Sequence, residues 1–137
     1  MRRLVATAAL LALFASACGA TESSDQPDFK GPEQQIVDVV DELAQAGRRH
    51  DAEKICRDIL AKRLVDELKA AGGDCLTEMD RAISDASDYD LQVRSVKVTG
   101  NTATAQVRQG DDGKVATFSF VKEGNAWKAS ALGSGTS

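Results

Sequence analysis

Near Asp88 the spacing of apolar residues changes from three and four to two. Upstream, Ile36, Val37, Val40, Leu43 and Ala44 recur on one side of a 3.6-residue turn; downstream, Leu91 and Val93, then Val96 and Val98, alternate with polar residues. A helix-period pattern cannot bury its apolar face as a strand, nor a strand-period pattern as a helix, so the switch divides the chain into a helical part and a sheet part. Helices that run together in sequence, followed by strands that do the same, give α+β architecture rather than alternating βαβ units.

Three helices are expected. The first begins in "PEQQIVDVVDELAQAG", where Pro32 suits the first turn, Glu33 complements the positive end of the helix dipole and Gly47 supplies a terminator. Asp51 supplies a cap for the second, whose apolar stripe of Ile55, Cys56, Ile59, Leu60, Leu64 and Leu68 continues to "AAGGD". A third runs from about Asp74, with Cys75, Met79, Ala82, Ile83 and Ala86 on one face.

The shift from Leu91 and Val93 to Val96 and Val98 places a bulge near Arg94 or Ser95. Gly100-Asn101 reads as a tight hairpin turn into a strand from Thr102 to Arg108. Further strands run from Val115 to Val121 and from Ala126 to Leu132, with "GDDG" and "EGN" as turns. The expected fold is three helices packed on a curved four-stranded antiparallel sheet, with Phe118, Phe120, Trp127, Ala129 and Ala131 facing them.

The N-terminus carries an address. Met1 to Arg3 holds two positive charges, and Leu4 to Phe14 follows without a charge, which is the anatomy of an export signal. A membrane-crossing helix needs roughly 17 to 25 predominantly apolar residues, and this run is shorter. Ala15-Ser16-Ala17 fits the small-residue cleavage pattern, and cleavage after Ala17 makes Cys18 the first mature residue. Small residues ahead of a cysteine resemble the bacterial lipoprotein signal, in which that cysteine receives a diacylglyceryl group before the peptide ahead of it is removed. The match covers residues 1 to 20. The family usually has Leu three residues before the cysteine; here Ala15 stands there, and Leu13 lies two residues further back. The resemblance implies a signal peptide over 1–17, a lipid on Cys18, and attachment to a membrane of the bacterial cell envelope on its extracytoplasmic side. Ordinary export with a free or disulfide-bonded Cys18 is the alternative.

Cysteine parity favours the lipid. The chain has three cysteines, and an odd thiol in an exported protein demands an explanation. Lipidating Cys18 leaves Cys56 and Cys75 as a pair for a disulfide in an oxidising compartment. After Cys18, "GATESSDQPDFKGP" has two prolines, two glycines and only Phe29 as a large apolar group, so residues 18–32 read as a tether. The fourteen residues from Gly19 to Pro32 span roughly 20 Å root-mean-square as a flexible coil. Phe29 either docks on the domain or stays an isolated exposed aromatic. One domain follows over 33–133, with 134–137 as a disordered tail.

Losing Arg2 and Arg3 with the signal takes the 17 Lys and Arg to 15 against 21 Asp and Glu, near minus six. This argues against nucleic acid as a partner and against adsorption onto anionic head groups, which recruit clustered Lys and Arg. Membrane association is left to the lipid.

Helices followed by "VRSVKVTGNTATAQV" and a terminal "VKEGNAWKAS" resemble the small NTF2-like or cystatin-superfamily domains of bacterial lipoproteins, over about residues 33 to 133. The shared features are a strand, a Gly-Asn hairpin and a late Gly-x-x-Trp-Lys. The resemblance implies a cone between helices and sheet, with Phe118, Phe120 and Trp127 as candidate pocket residues. Such folds host enzymes, binding pockets and structural modules alike, so the fold does not settle function.

Enzymatic members resembling ketosteroid isomerase need a carboxylate base in the pocket and buried acidic hydrogen-bond donors opposite it. Tyr89 stands at the helix-to-strand junction, whereas Asp38 and Asp41 occupy helix positions outside the apolar stripe. His50, the single histidine, follows Arg48-Arg49 in a loop without a serine placed to complete a triad, and it belongs to no spaced zinc set. Asp80, Asp85, Asp88 and Asp90 lack the alternating spacing and central Gly of a calcium loop, and Asp111-Asp112-Gly113 is explained by turn chemistry. No metal or cofactor is expected. Two classes remain: a non-catalytic tethered domain that binds a partner protein or a small apolar ligand in the cone, and an enzyme or enzyme accessory using a carboxylate there. A wall of Val, Ala, Phe and Trp favours the first; an inward Asp near Tyr89 favours the second.

The mature N-terminal peptide is expected to carry the mass of a diacylglyceryl group on Cys18, since two chains are what make such anchoring stable. Cys18→Ser is expected to abolish the modification. An unmodified Cys18, in protein that washes off membranes, would make this an ordinary secreted domain.

Overall fold

A computed structural model describes residues 27–86, 89–111 and 113–133. The signal peptide over 1–17, Cys18, the tether as far as Gln26 and the tail over 134–137 lie outside the described residues. The chain forms α1 (Pro32–Arg48), a single turn α2 (Ala52–Lys54) that widens into a π-helical turn (Ile55–Ile59), α3 (Lys62–Ala70) and α4 (Cys75–Asp85). Strands β1 (Leu91–Thr99), β2 (Thr102–Gln109), β3 (Lys114–Glu123) and β4 (Ala126–Leu132) follow. They pair as one antiparallel meander in the order β1-β2-β3-β4. The architecture is α+β as expected, with four α-helices where three were expected.

Helix α1 opens at Pro32 with Glu33 in its first turn and buries Ile36, Val40 and Ala44 one turn apart. Its end differs from expectation. Gly47 stays helical and buried, the helix continues to Arg48, and His50 takes the left-handed conformation at φ 54°. The His50 N–H donates to the Gly47 carbonyl at 3.0 Å and the Asp51 N–H to the Ala46 carbonyl at 2.9 Å, a Schellman closure made by a residue other than glycine.

The expected second helix is broken in the middle. Asp51 caps α2 as expected, its side chain accepting the Lys54 N–H at 3.0 Å. Past the π turn, however, Leu60 and Ala61 are extended, with ψ of 143° and 141°. The free edge of β4 draws them out of the helix: the Ala61 N–H donates to the Ala129 carbonyl at 2.7 Å, and Leu60 bridges Ala129 in parallel. Both residues are fully buried there. Helix α3 then restarts with the Lys62 N–H donating to both oxygens of Glu123, at 3.1 and 3.2 Å. The Lys128 ammonium donates to the carbonyl of Asp58, tying the π turn to the same strand.

The bulge expected in β1 is present, because Val93 faces Val107 and Ser95 faces Gln106, leaving Arg94 unpaired in the ladder. Gly100 opens the two-residue hairpin at φ 59°, as a mirror-image turn needs. A second bulge had no signal in the sequence. Ser119 faces Ala131 while Phe120 faces Ala129, so Ser130 is the extra residue. That slip turns Ala131, expected inward, out to solvent and sends Leu132 against the core. Of the other residues expected on the buried face, Phe118, Phe120, Trp127 and Ala129 are buried, and Ala103, Ala105 and Val107 of β2 join them. Phe29 docks half-buried on this core.

Cys56 and Cys75 are bonded, with Cα atoms 6.1 Å apart, fastening the π turn to the first residue of α4 around the whole of α3. Opening the bond is expected to cost about 3 kcal/mol by releasing the unfolded chain. Urea midpoints with and without reductant measure that loss, and a thiol count on unfolded, unreduced protein checks the bond. Two titratable thiols at Cys56 and Cys75 would remove it.

Candidate functional site

An open cleft of about 250 Å³ lies between the C-terminal half of α1, helix α4 and one end of the sheet. Leu43, Ala44 and Gly47 form its α1 side; Met79, Ala82, Ile83 and Ala86 form its α4 side. Phe118, Leu91 and Leu132 close the sheet side. The small residues matter, because at Ala44, Gly47, Ala82 and Ala86 the helices present little more than backbone where longer side chains would meet.

Tyr89 forms one wall, and its neighbours explain its position. Its ring lies on the bare backbone of Gly47, where an added Cβ would stand 2.7 Å from Cδ1. Its hydroxyl donates to the carbonyl of Ile83, and its own carbonyl accepts from Arg48 Nη1 at 3.2 Å. His50 meets the ring edge-on, with centroids 6.0 Å apart. The left-handed turn at His50 and the glycine at 47 therefore hold Tyr89 from two sides. Gln109 is the other polar residue on the lining.

No carboxylate lines this cleft among the described residues. Asp38 and Asp41 are exposed on α1. Partial burial raises the Asp41 carboxyl above its ordinary range, the charge of Asp38 adds to the shift, and Arg48 opposes it. His50 is exposed beyond the rim. Among the described residues no group of three His, Cys, Asp or Glu is arranged to hold a metal ion. Among the described residues the lining is aliphatic and aromatic carbon apart from the polar groups of Tyr89 and Gln109.

The three aromatic residues picked out as pocket candidates share the core without sharing a pocket. Phe118 lines the cleft just described. Trp127 is buried with Nε1 donating to Gln35 Oε1 at 3.1 Å, and Lys122 Nζ stands 5.9 Å from its ring centre. It borders a different cleft of about 410 Å³, beside Asp38, Glu42 and Asp58. Lys54 partly neutralises that cleft, 3.8 Å from Glu42 and 3.9 Å from Asp58. Phe120 borders a third, of about 630 Å³, lined mainly by polar side chains. Of the pocket candidates only Phe118 lies on the apolar cleft, and among the lining residues missed are Leu43, Gly47, Met79, Leu91 and Leu132. Leu43 and Met79 stood on the helical stripes, which mark burial without saying which end of the stripe stays open.

Compared with models of known families, with curated proteins and with solved structures, the chain matches none.

Trp127→Ala is expected to destabilise the domain by about 3 to 5 kcal/mol, the usual range for a buried Trp, and to lower the urea midpoint accordingly. A variant as stable as the parent that has lost a ligand would make Trp127 a pocket wall instead.

Proposed function

We propose that this is an exported, lipid-anchored protein of the bacterial cell envelope whose domain is a non-catalytic binding module. In this reading the helices and sheet form an NTF2-like or cystatin-like cone, the membrane is engaged through a diacylglyceryl group on Cys18, and the apolar cleft takes a small apolar ligand. The observation that carries the binding part is the lining. Aliphatic and aromatic carbon surrounds the cleft, the Tyr89 hydroxyl is already used by Ile83, and no carboxylate is present among the described lining residues. An enzyme acting there by proton transfer would need a group of matched pKa within hydrogen-bond reach of the substrate. The described lining supplies none.

Size narrows the ligand. An apolar cavity of roughly 150 Å³ holds benzene, so on that scale about 250 Å³ takes roughly ten carbons. This is below the roughly 300–1,000 Å³ of sites that enclose a drug-sized molecule. One short chain or one ring system, whether a whole ligand or the apolar end of a larger one, fits. No helix among the described residues is long and apolar enough to cross a membrane.

Benzene tests the cleft. At ten times its dissociation constant it is expected to stabilise the protein by about 1.4 kcal/mol, a shift of several degrees in Tm. Ala82→Trp, which adds an indole at an exposed position on the α4 side of the lining, is expected to obstruct the cleft and reduce the shift while still folding. An equal shift in parent and variant would place the apolar site elsewhere, and no shift in either would remove the binding reading.

A further inference from the structure

The roughly 630 Å³ cleft lies between α3 and the strand residues that alternate with the buried ones, and has different chemistry. Alternation along the strands sends Ala103, Ala105, Phe118 and Phe120 inward, so Thr102, Thr104, Ser119 and Val121 point outward. Pairing sets Lys97, Thr104 and Ser119 side by side in one row, with Thr99, Thr102 and Val121 in the next. Neighbours in a row are about 4.8 Å apart and the rows about 7 Å apart. Helix α3, restarted at the β4 edge by the break at Leu60 and Ala61, brings Arg63 and Glu67 to the same cleft, and the bulge brings Ser130.

These groups are unevenly satisfied. One row further along the sheet, Gln106 Nε2 donates to Thr117 Oγ1 at 2.9 Å, so that pair is complete. Lys97, Thr104, Ser119 and Ser130 have no side-chain hydrogen-bond or ion-pair partner among the described residues. Arg63 uses Nε on Glu67 at 2.7 Å and keeps the rest of its guanidinium fork. β-propensity accounts for threonines on an open sheet face. It does not account for a helical wall that makes the face a cleft, nor for an unpaired ammonium on its floor in a chain of net charge −4.

We infer that this cleft binds a polyhydroxylated anion, a saccharide carrying a phosphate or carboxylate. Lys97 offers a point charge and Arg63 a planar fork to the anionic group. The hydroxyls of Thr104, Ser119 and Ser130 each donate and accept, as saccharide hydroxyls do, and Glu67 accepts from one more. The volume lies within the range of small-molecule sites. A lipid head group is the poorer source of such an anion, because the acidic domain as a whole is repelled by an anionic bilayer. The site is independent of the apolar cleft.

Glucose 6-phosphate is the probe, titrated into the full chain in amine-oxide micelles, which carry neither sugar nor phosphate, and followed by amide NMR. Shifts are expected to gather at residues 97–104, 119 and 130. Glucose and inorganic phosphate are each expected to bind at least tenfold more weakly. Lys97→Met is expected to weaken glucose 6-phosphate at least tenfold and Thr104→Val severalfold; both positions are exposed, so the variants should melt as the parent does. Shifts confined to other residues, unchanged affinity in Lys97→Met, inorganic phosphate binding as well as the sugar phosphate, or no shifts at 10 mM probe (~10 mM being weaker than any useful site) would each overturn the inference.

Discussion

One backbone hydrogen bond, from the Ala61 N–H to the Ala129 carbonyl at 2.7 Å, organises the helical half of this domain. An edge strand presents unpaired N–H and C=O groups, and a chain that leaves β4 bare would expose a template for pairing with other chains. Leu60 and Ala61 cover part of that edge, and to do so they abandon helical geometry. The consequences spread in both directions. Upstream, the helix widens into a π turn that carries Cys56, bonded to Cys75; downstream, α3 starts afresh with Glu123 holding its first N–H. The disulfide then closes the circuit by tying α4 to the π turn.

A similar local exchange builds the apolar cleft. Glycine at 47 costs helix stability, roughly 1 kcal/mol relative to alanine, and its place in a buried helical position is explained by the Tyr89 ring that lies on it. Closing α1 with His50 in the left-handed region also costs free energy, since a side chain there crowds the following carbonyl. In return the histidine ring meets Tyr89 edge-on. Two locally unfavourable residues thus fix one wall of the cleft, and the Tyr89 hydroxyl secures it to the end of α4 at Ile83.

Much of this was legible because it is written in short-range pattern. The change of period marked the division into helices and sheet, the parity slip marked the bulge at Arg94, Gly100 marked the hairpin, and cysteine parity marked the pair that the structure joins. What escaped was decided at long range. The stripe through Ile59, Leu60 and Leu64 reads as one helix because Leu60 is buried whether helical or extended; the deciding partner, Ala129, lies 69 residues away. The bulge at Ser130 carries no glycine or proline, so Ala131 and Leu132 could not be told apart by alternation. Gly47 looked like a terminator because glycine usually is one, and only the position of Tyr89 shows why it stays helical. For the site, apolar periodicity marked Phe118, Phe120 and Trp127 as buried, but burial alone does not say which cavity a side chain borders, and these three border different ones.

Whether the apolar cleft is an accident of packing turns on what it costs to leave open. A sealed void of about 250 Å³ would cost on the order of 6 kcal/mol at roughly 24 cal/mol per Å³. That is as large as the whole stability of many small domains, roughly 5 to 15 kcal/mol. The cleft avoids the full penalty by opening to water, but its aliphatic walls then stay hydrated, at roughly 25 cal/mol for each Å² left unburied. Gly47 is committed to Tyr89, and Ala44, Ala82 and Ala86 each put no more than a methyl group on the lining. With alanine at all three the space stays open and apolar, and an apolar occupant would relieve that exposure, which is the physical gain the proposed binding function would draw on.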